Sequence, residues 1–552
     1  MFWLFSRATV CFIVATTMSE KSTTPMMAQY RRAKAEIAPD TILFFRLGDF
    51  YEMFFEDAIV AAEILGIALT KRQGVPMCGV PYHAADAYLA KLIRAGKRVA
   101  RCDRREDPAR AKGIVKREVT GIVTPGTVLT DSMLDAARPN YLAGLHRQDK
   151  LYGLAMLDLS TGEFWMEEAP DPAVLLADLA RYLPPEIILP ESLHADERFR
   201  TSLNAVGAFT LTAREDWIFD PATAEDGLCR HFGVQSLAGF GGQDHPAAAG
   251  AAGALLHYVT RDLRRQAAHV RRIRFRTASD AMMLDESTLA NLDLIAARGA
   301  ARADAPTTLL QVLDHTRTAM GSRLLRDWLV RPLQNLEAIV ARHDAVEALR
   351  DQRHELETLR GILGGIKDLE RLLARLSAGG GNARDVRALA VSLARLPDLQ
   401  AALAPQAAAR LRELAAAIVP QNELVAVIDR ALVEEPPLAI KEGGLIRKGY
   451  HAGLDELRAA AHDGKQWIAA LQAREIERTG IASLKIRFNK VFGYFIEVTK
   501  SNLARVPADY LRKQTIVNGE RFITPELKEY ESKILGAEEK SVALEHELFL
   551  EL

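Results

Sequence analysis

The sequence predicts a multidomain chain, mixed α/β in its first half and all-α in its second, with a small β module set between helices. Three observations carry that reading. Residues 25 to about 275 interleave short apolar runs such as TILFFRL, RVARC and EVTGIVT with helix-periodic stretches such as EDAIVAAEIL and AADAYLAKLIRAG, the pattern of sheets with packed helices. From about 280 to 450 the chain is almost all helix-forming Leu, Ala, Arg and Glu, as in a helical bundle with long arms. Residues 483–500, SLKIRFNKVFGYFIEVTK, then alternate apolar and polar, so antiparallel strands interrupt the helices there. A length of 552 residues, 49% of them hydrophobic, suffices for three or four domains.

Taken in order, residues 1–24 read as a leader outside any domain. The uninterrupted apolar run Val10–Ala15 is shorter than a signal-peptide core and far short of a membrane span. Met18 opens the polar stretch SEKSTTPMMAQY, which reads as the true start. Residues 25–135 form the first α/β domain, and a break at Pro139 ends it. Residues 140–275 form the second. There KLYGLAMLDLSTGEFWMEE divides into two alternating runs around Ser160-Thr161-Gly162, a hairpin signal, and HPAAAGAAGALLHYV reads as a helix with a small-residue lead-in. Residues 276–450 are helical, with breaks at Pro332, Gly379-Gly380-Gly381, Pro397 and Pro420. Residues 451–524 hold the β module. Residues 525–552 return to helix, with Leu527, Tyr530, Ile534, Val542, Leu548 and Leu552 at amphipathic spacing. No Gly, Asn or Pro cap follows, and the expectation is a fragment of a longer protein.

The charge balance excludes some classes. Lys plus Arg number 71 and Asp plus Glu 72, a net charge of −1, so the chain is not a histone-like polycation and any nucleic-acid surface must come from local clustering. Two clusters stand out. Residues 465–528 hold twelve basic and six acidic side chains, with Lys485, Arg487 and Lys490 among Phe488, Phe492 and Tyr494. Residues 91–118 hold eleven basic against four acidic. Taken alone, the first is equally a phosphate-facing surface or a solvated face, whereas the second reads as a solvated face, as charge runs usually are. The four cysteines, Cys11, Cys78, Cys102 and Cys229, lie far apart with no CxxC, so neither a zinc site nor a disulfide framework is indicated. A reducing, cytoplasmic compartment is expected, and no segment reads as a membrane helix.

The most informative stretch is Leu47-Gly48-Asp49-Phe50-Tyr51-Glu52-Met53-Phe54. Gly48 permits a tight turn and Asp49 reads as the N-cap of a helix, so Phe50 and Glu52 fall where an element starts. Two readings stand side by side. Phe50, Tyr51 and Phe54 are core aromatics and Glu52 complements the helix dipole, or Phe50 and Glu52 are displayed for binding.

GDFYEMFFEDA resembles the mismatch-binding signature of the MutS family of DNA mismatch repair proteins. PMCGVPYHAADAYLAKLIRAGKRVA (76–100), TPGT (124–127), LDLSTGEF (157–164), TAMGSRLLRDWLVRPL (318–333), FNKVFGYFIEVTKSN (488–502) and ERFITPELKEYE (520–531) resemble the family in the same order, over roughly residues 24–552. The resemblance implies a mismatch-recognition domain (25–135), an RNase H-like connector (140–275), a helical core with an ascending lever (276–450), a clamp (451–524) and the start of a descending lever (525–552). It implies that Phe50 wedges into the minor groove at a mispaired base and that Glu52 hydrogen-bonds the displaced base. Lys71, Arg72, Lys485, Arg487, Lys490, Arg512 and Lys513 become candidates for contact with the DNA backbone. The implied partners are double-stranded DNA with mismatches or small loops, a second copy of the full-length chain, and a MutL-type protein. ATP and magnesium are expected only with the family's C-terminal ATPase domain. No GxxxxGK followed by Ser or Thr occurs in these 552 residues, so this chain as given is expected to bind neither and to have no catalytic residues.

Two departures from the family pattern are visible. Only Gln73, Gly74 and Val75 separate LTKR from PMCG, where the family usually has a longer loop. Val99-Ala100-Arg101-Cys102-Asp103-Arg104 stands where the family usually reads something like VAICEQ, and a buried Arg101 is costly unless paired. Two alternative functions remain. Asp158, on a first strand, suits an RNase H-like nuclease, although two-metal chemistry needs further carboxylates. A DNA-structure-binding member of the wider superfamily would share core and clamp but not read mismatches; the intact GDFYE separates the two.

Overall fold

The computed structural model describes residues 24–105, 115–277, 281–295, 307–438, 442–489 and 493–552. Lys490 and Phe492, Arg110 and Lys112 of the other basic cluster, and the leader with Cys11 and Met18 lie outside the described residues. The chain divides into two compact units: one runs to Val340 and includes Leu373–Gly379, the other comprises Ala341–Leu372 and Gly380–Leu552.

The first unit opens on a six-stranded sheet of β1 (Thr41–Leu47), β2 (Phe50–Phe54), β3 (Thr70–Arg72), β4 (Val75–Pro81), β5 (Arg98–Arg104) and β6 (Arg117–Val123), ordered β3-β4-β2-β1-β5-β6. Only β1 and β5 pair in parallel. Helix α1 (Pro25–Ala35) packs on one face, and α2 (Phe55–Leu65) with α3 (Ala85–Arg94) on the other. TILFFRL is therefore apolar without alternation, because Leu43 and Phe45 enter the core under α1 while Ile42 and Phe44 enter the opposite one. Asp57 of α2 is buried, and its carboxylate accepts from Leu43 N (2.9 Å), Lys34 Nζ (2.8 Å) and Tyr30 Oη (3.3 Å). A buried carboxylate so satisfied ties both helices to the central strand.

The second sheet has β7 (Leu142–Gln148), β8 (Leu151–Asp158), β9 (Glu163–Ala169), β10 (Glu186–Pro190), β11 (Thr210–Arg214) and β12 (Arg274–Phe275), ordered β11-β10-β7-β8-β9-β12. The expected hairpin joins β8 to β9, with Gly162 at φ +80°. The Ala/Gly-rich run is the buried helix Pro246–His257. Small residues let it approach the sheet until a Cβ at Gly153 would stand 2.0 Å from the Ala247 carbonyl oxygen.

Three of the four expected helix breaks hold. Pro332, Gly379–Gly381 and Pro420 fall between helices, whereas Pro397 lies in the first turn of Leu396–Leu403, where its missing N–H costs nothing. In the second unit, helix Ala452–Thr479 packs along helix Pro525–Glu551. Trp467 stacks on Tyr530 with centroids 3.5 Å apart. Between these helices stand β13 (Lys485–Asn489), β14 (Gly493–Thr499), β15 (Leu511–Ile516) and β16 (Gly519–Ile523), antiparallel in the order β13-β14-β16-β15. Ile496, Val498 and Phe522 of the sheet share a core with Ile468, Leu471, Leu527 and Ile534 of the helices.

Candidate nucleic-acid interface

The GDFYE stretch is a hairpin, which corrects the expectation that Asp49 caps a helix. Leu47 pairs with Phe50 across the two-residue turn Gly48-Asp49, and Gly48 supplies the left-handed backbone (φ +58°) that such a turn requires. The aromatic-rich FYEMF prefers the strand because β1 and β4 flank it on both sides. Helix α2 begins only at Phe55, with Glu56 and Asp57 as its first-turn acids. Glu52 is therefore not a dipole partner.

Strand periodicity then decides which side chains are displayed. Tyr51 and Met53 enter the core with α2 and α3. Phe50 and Glu52 share the opposite face, and Phe50 is 46% exposed. Gly79 lies across from Glu52, and a Cβ there would stand 3.6 Å from Glu52 Cγ and 3.9 Å from Phe50 Cδ1.

The register also sorts the two basic candidates of LTKR. Arg72 shares the Phe50 face, and its Nη1 lies 2.8 Å from Glu52 Oε2. Lys71 is exposed on the opposite face, and both lie on β3. The shortened loop closes as a tight hairpin through Gln73 (φ +53°) and Gly74 (φ +85°), the backbone of a type I′ turn. Arg101 is half-exposed and ion-paired with Asp86 of α3, so the cost feared for a buried charge does not arise.

Sequence reasoning missed what holds the hairpin. The Gly48 carbonyl accepts from Arg46 Nε (2.8 Å) and Arg104 Nη2 (3.0 Å), and the Asp49 carbonyl accepts from Tyr82 N (2.8 Å). The Arg46 guanidinium lies 3.3 Å from the centre of the exposed Tyr82 ring. The one signal was the run of arginines around 98–105, of which Arg104 finds its partner, Gly48, some fifty positions upstream.

The second basic cluster lies on the four-stranded sheet. By register Lys485, Arg487, Glu497 and Arg521 share one face, opposite the face that packs on the helices. Glu497 stands between Arg487 (3.5 Å) and Arg521 (3.6 Å). Arg512 belongs to the helix-packed face, where it pairs with Glu520 at 3.4 Å, and Lys513 is exposed at a register shift in β15. Arg521, covering Phe495 at 4.2 Å, joins the surface although it was not among the residues singled out for backbone contact. Phe488 is 47% exposed beside Tyr494.

Asp158 is fully buried, and its oxygens accept from Ser160 N (2.8 Å), Ser160 Oγ (2.7 Å) and Asn140 N (3.0 Å), the bonding of a turn-stabilising carboxylate. Among the described residues no group of three or more His, Cys, Asp or Glu could hold a metal. Burial pushes the Cys78 and Cys102 thiols up to about 11 and about 12, so neither is a ready thiolate. No helix among the described residues is long and apolar enough to cross a membrane.

Comparison with known proteins agrees with this layout. Residues 24–132 match MutS domain I, 140–271 MutS domain II and 287–552 MutS domain III. The chain is similar to the DNA mismatch repair protein MutS of Myxococcus xanthus, 49% identical over 536 residues, covering 96% of this chain and 60% of that protein. It is likewise similar to the DNA mismatch repair protein MutS of Anaeromyxobacter dehalogenans, at 49% over 531 residues (95% and 59%), and to that of Symbiobacterium thermophilum, at 46% over 544 residues (97% and 62%). The chain thus spans about three fifths of the length of the curated relatives it matches. With domains I to III matched in order along nearly all of its length, the chain belongs to the MutS family.

Proposed function

We propose that this chain binds duplex DNA at mispaired or unpaired bases, with Phe50 entering the minor groove and stacking on the displaced base while the duplex kinks, and that it thereby initiates mismatch repair. The observation that carries the reading is a large aromatic left 46% exposed at a hairpin tip beside a carboxylate on the same face. Leaving such a ring half in water forgoes roughly half of the about 1.5–3 kcal/mol that full burial supplies. Wedge insertion costs a few kcal/mol of unstacking, least where a pair is already broken, so the protein reads deformability. Glu52 supplies the hydrogen-bond acceptor for the displaced base and repels fully paired DNA.

In this reading Lys71, Arg72, Lys485, Arg487, Lys490, Arg512 and Lys513 meet phosphates, domain II is the RNase H-like connector, and the four-stranded sheet is the clamp. ATP hydrolysis with magnesium, pairing of two full-length chains and engagement of a MutL-type partner draw on the length of the relatives that this chain does not span. The setting is the cytoplasm. The test is the affinity of this chain and of Phe50→Ala for a duplex with one G·T pair or one unpaired T, against the fully paired duplex at fixed salt. The expected result is a mismatch preference in the wild type that Phe50→Ala abolishes; equal binding of both duplexes by the wild type argues against the reading.

A further inference from the structure

We propose that Arg104, acting with Arg46, is a positioning residue for the Phe50 hairpin, an inference that rests on the mismatch-binding reading. Two guanidinium groups converge on one acceptor: the Gly48 carbonyl takes Arg46 Nε at 2.8 Å and Arg104 Nη2 at 3.0 Å, which uses both of its lone pairs. The next carbonyl, of Asp49, takes Tyr82 N at 2.8 Å. Both carbonyls of the two-residue turn are therefore bonded to elements outside the hairpin, Arg104 at the end of β5 and Tyr82 just past β4. Arg46 is fixed in turn, its ring-facing side against Tyr82 and its own carbonyl accepting from Arg117 Nε at 2.7 Å.

A stretch that only needed tethering could use neutral donors. Here three arginines, Arg46, Arg104 and Arg117, share one network, and none of them has a carboxylate within ion-pair distance among the described residues. The neighbouring carboxylates are otherwise engaged, Asp103 by Tyr51 and Thr120, Asp86 by Arg101, and Glu118 by Arg105. The guanidinium groups gathered behind the turn attract an approaching phosphate backbone. The same guanidinium groups that fix the turn thus favour the polyanion it must enter.

Arg104→Met removes the donors at similar length, and Arg104→Gln returns one N–H donor without charge. Amide hydrogen exchange of residues 48–52, the mismatch-to-paired affinity ratio and the melting temperature are measured for both, with Phe50→Ala alongside. The expected result for Arg104→Met is faster exchange in the hairpin and a ratio reduced roughly fivefold, the scale of one hydrogen bond, at an unchanged melting temperature, with much of the ratio restored in Arg104→Gln. If Phe50→Ala abolishes the preference while Arg104→Met keeps wild-type exchange or ratio, the positioning role is overturned and the mismatch reading stands. A Gln variant that folds but restores nothing also overturns it, since charge alone then explains the effect. If the wild type and Phe50→Ala bind identically, the mismatch reading fails and the positioning role falls with it.

Discussion

Glu52 shows how one side chain serves two states. In the free protein it lies 2.8 Å from Arg72, in a pair partly open to water. Such pairs contribute only about 0–1 kcal/mol, so the carboxylate can leave Arg72 for a displaced base at small cost. Glu52→Gln is expected to tighten binding to fully paired duplex by roughly 1 kcal/mol, the scale of one exposed charge interaction, and to narrow the mismatch preference; titration of both duplexes at fixed salt checks it, and unchanged affinity for paired DNA argues against the repulsive role. Phe50 and Glu52 could be singled out because the motif that carries them spans only a few residues, although the strand that displays them was not read from the sequence. Arg46, Arg104 and Tyr82 could not, because a hydrogen bond from Arg104 to Gly48 depends on β5 lying beside β1, a pairing between distant segments that local pattern does not encode.

At the scale of elements, alternation and punctuation were the readable signals. The β8–β9 hairpin, the Ala/Gly helix and most helix breaks followed from them, while Asp49 misled because a good capping residue sits equally well in a hairpin turn. The packing of β9 on helix Pro172–Tyr182 (α4) was unreadable, since it buries acids against each other. Glu167 of β9 and Asp178 of α4 lie together with Arg181 and Arg331 around a small cleft that also touches Met282 and Met283. Burial first, and then the neighbouring Asp178 carboxylate, push Glu167 from the usual 4.5 up to about 8. The folded state therefore holds a proton that the unfolded chain has released. The contribution of Glu167 to stability is full below about pH 4.5 and is lost as pH rises toward about 8, by at most about 1.4 kcal/mol per pH unit for one proton. Urea midpoints at pH 5 and pH 8 are expected to differ more for the wild type than for Glu167→Gln; equal slopes exclude Glu167 as the source.

Over the whole molecule, a net charge of −1 leaves DNA affinity to local surfaces. Composition singled out the segment that carries Lys485, Arg487 and Arg521, and only the register separates them from Arg512 on the other side. Exchanging both Lys485 and Arg487 for Gln is expected to lower the slope of log affinity against log salt by up to about 2 for paired duplex, near 0.9 per phosphate contact, with the mismatch-to-paired ratio unchanged. A fluorescence titration across several salt concentrations measures both quantities; an unchanged slope removes this face from the interface. The hairpin bearing Phe50 carries a further consequence, a kinetic one. Its turn is already closed by pairing and by bonds to both carbonyls, so no loop has to be ordered at encounter. Arrival is then set by diffusion and charge, alike for matched and mismatched duplexes, and discrimination appears as residence time, with complexes on paired DNA dissolving quickly and those on a broken pair persisting.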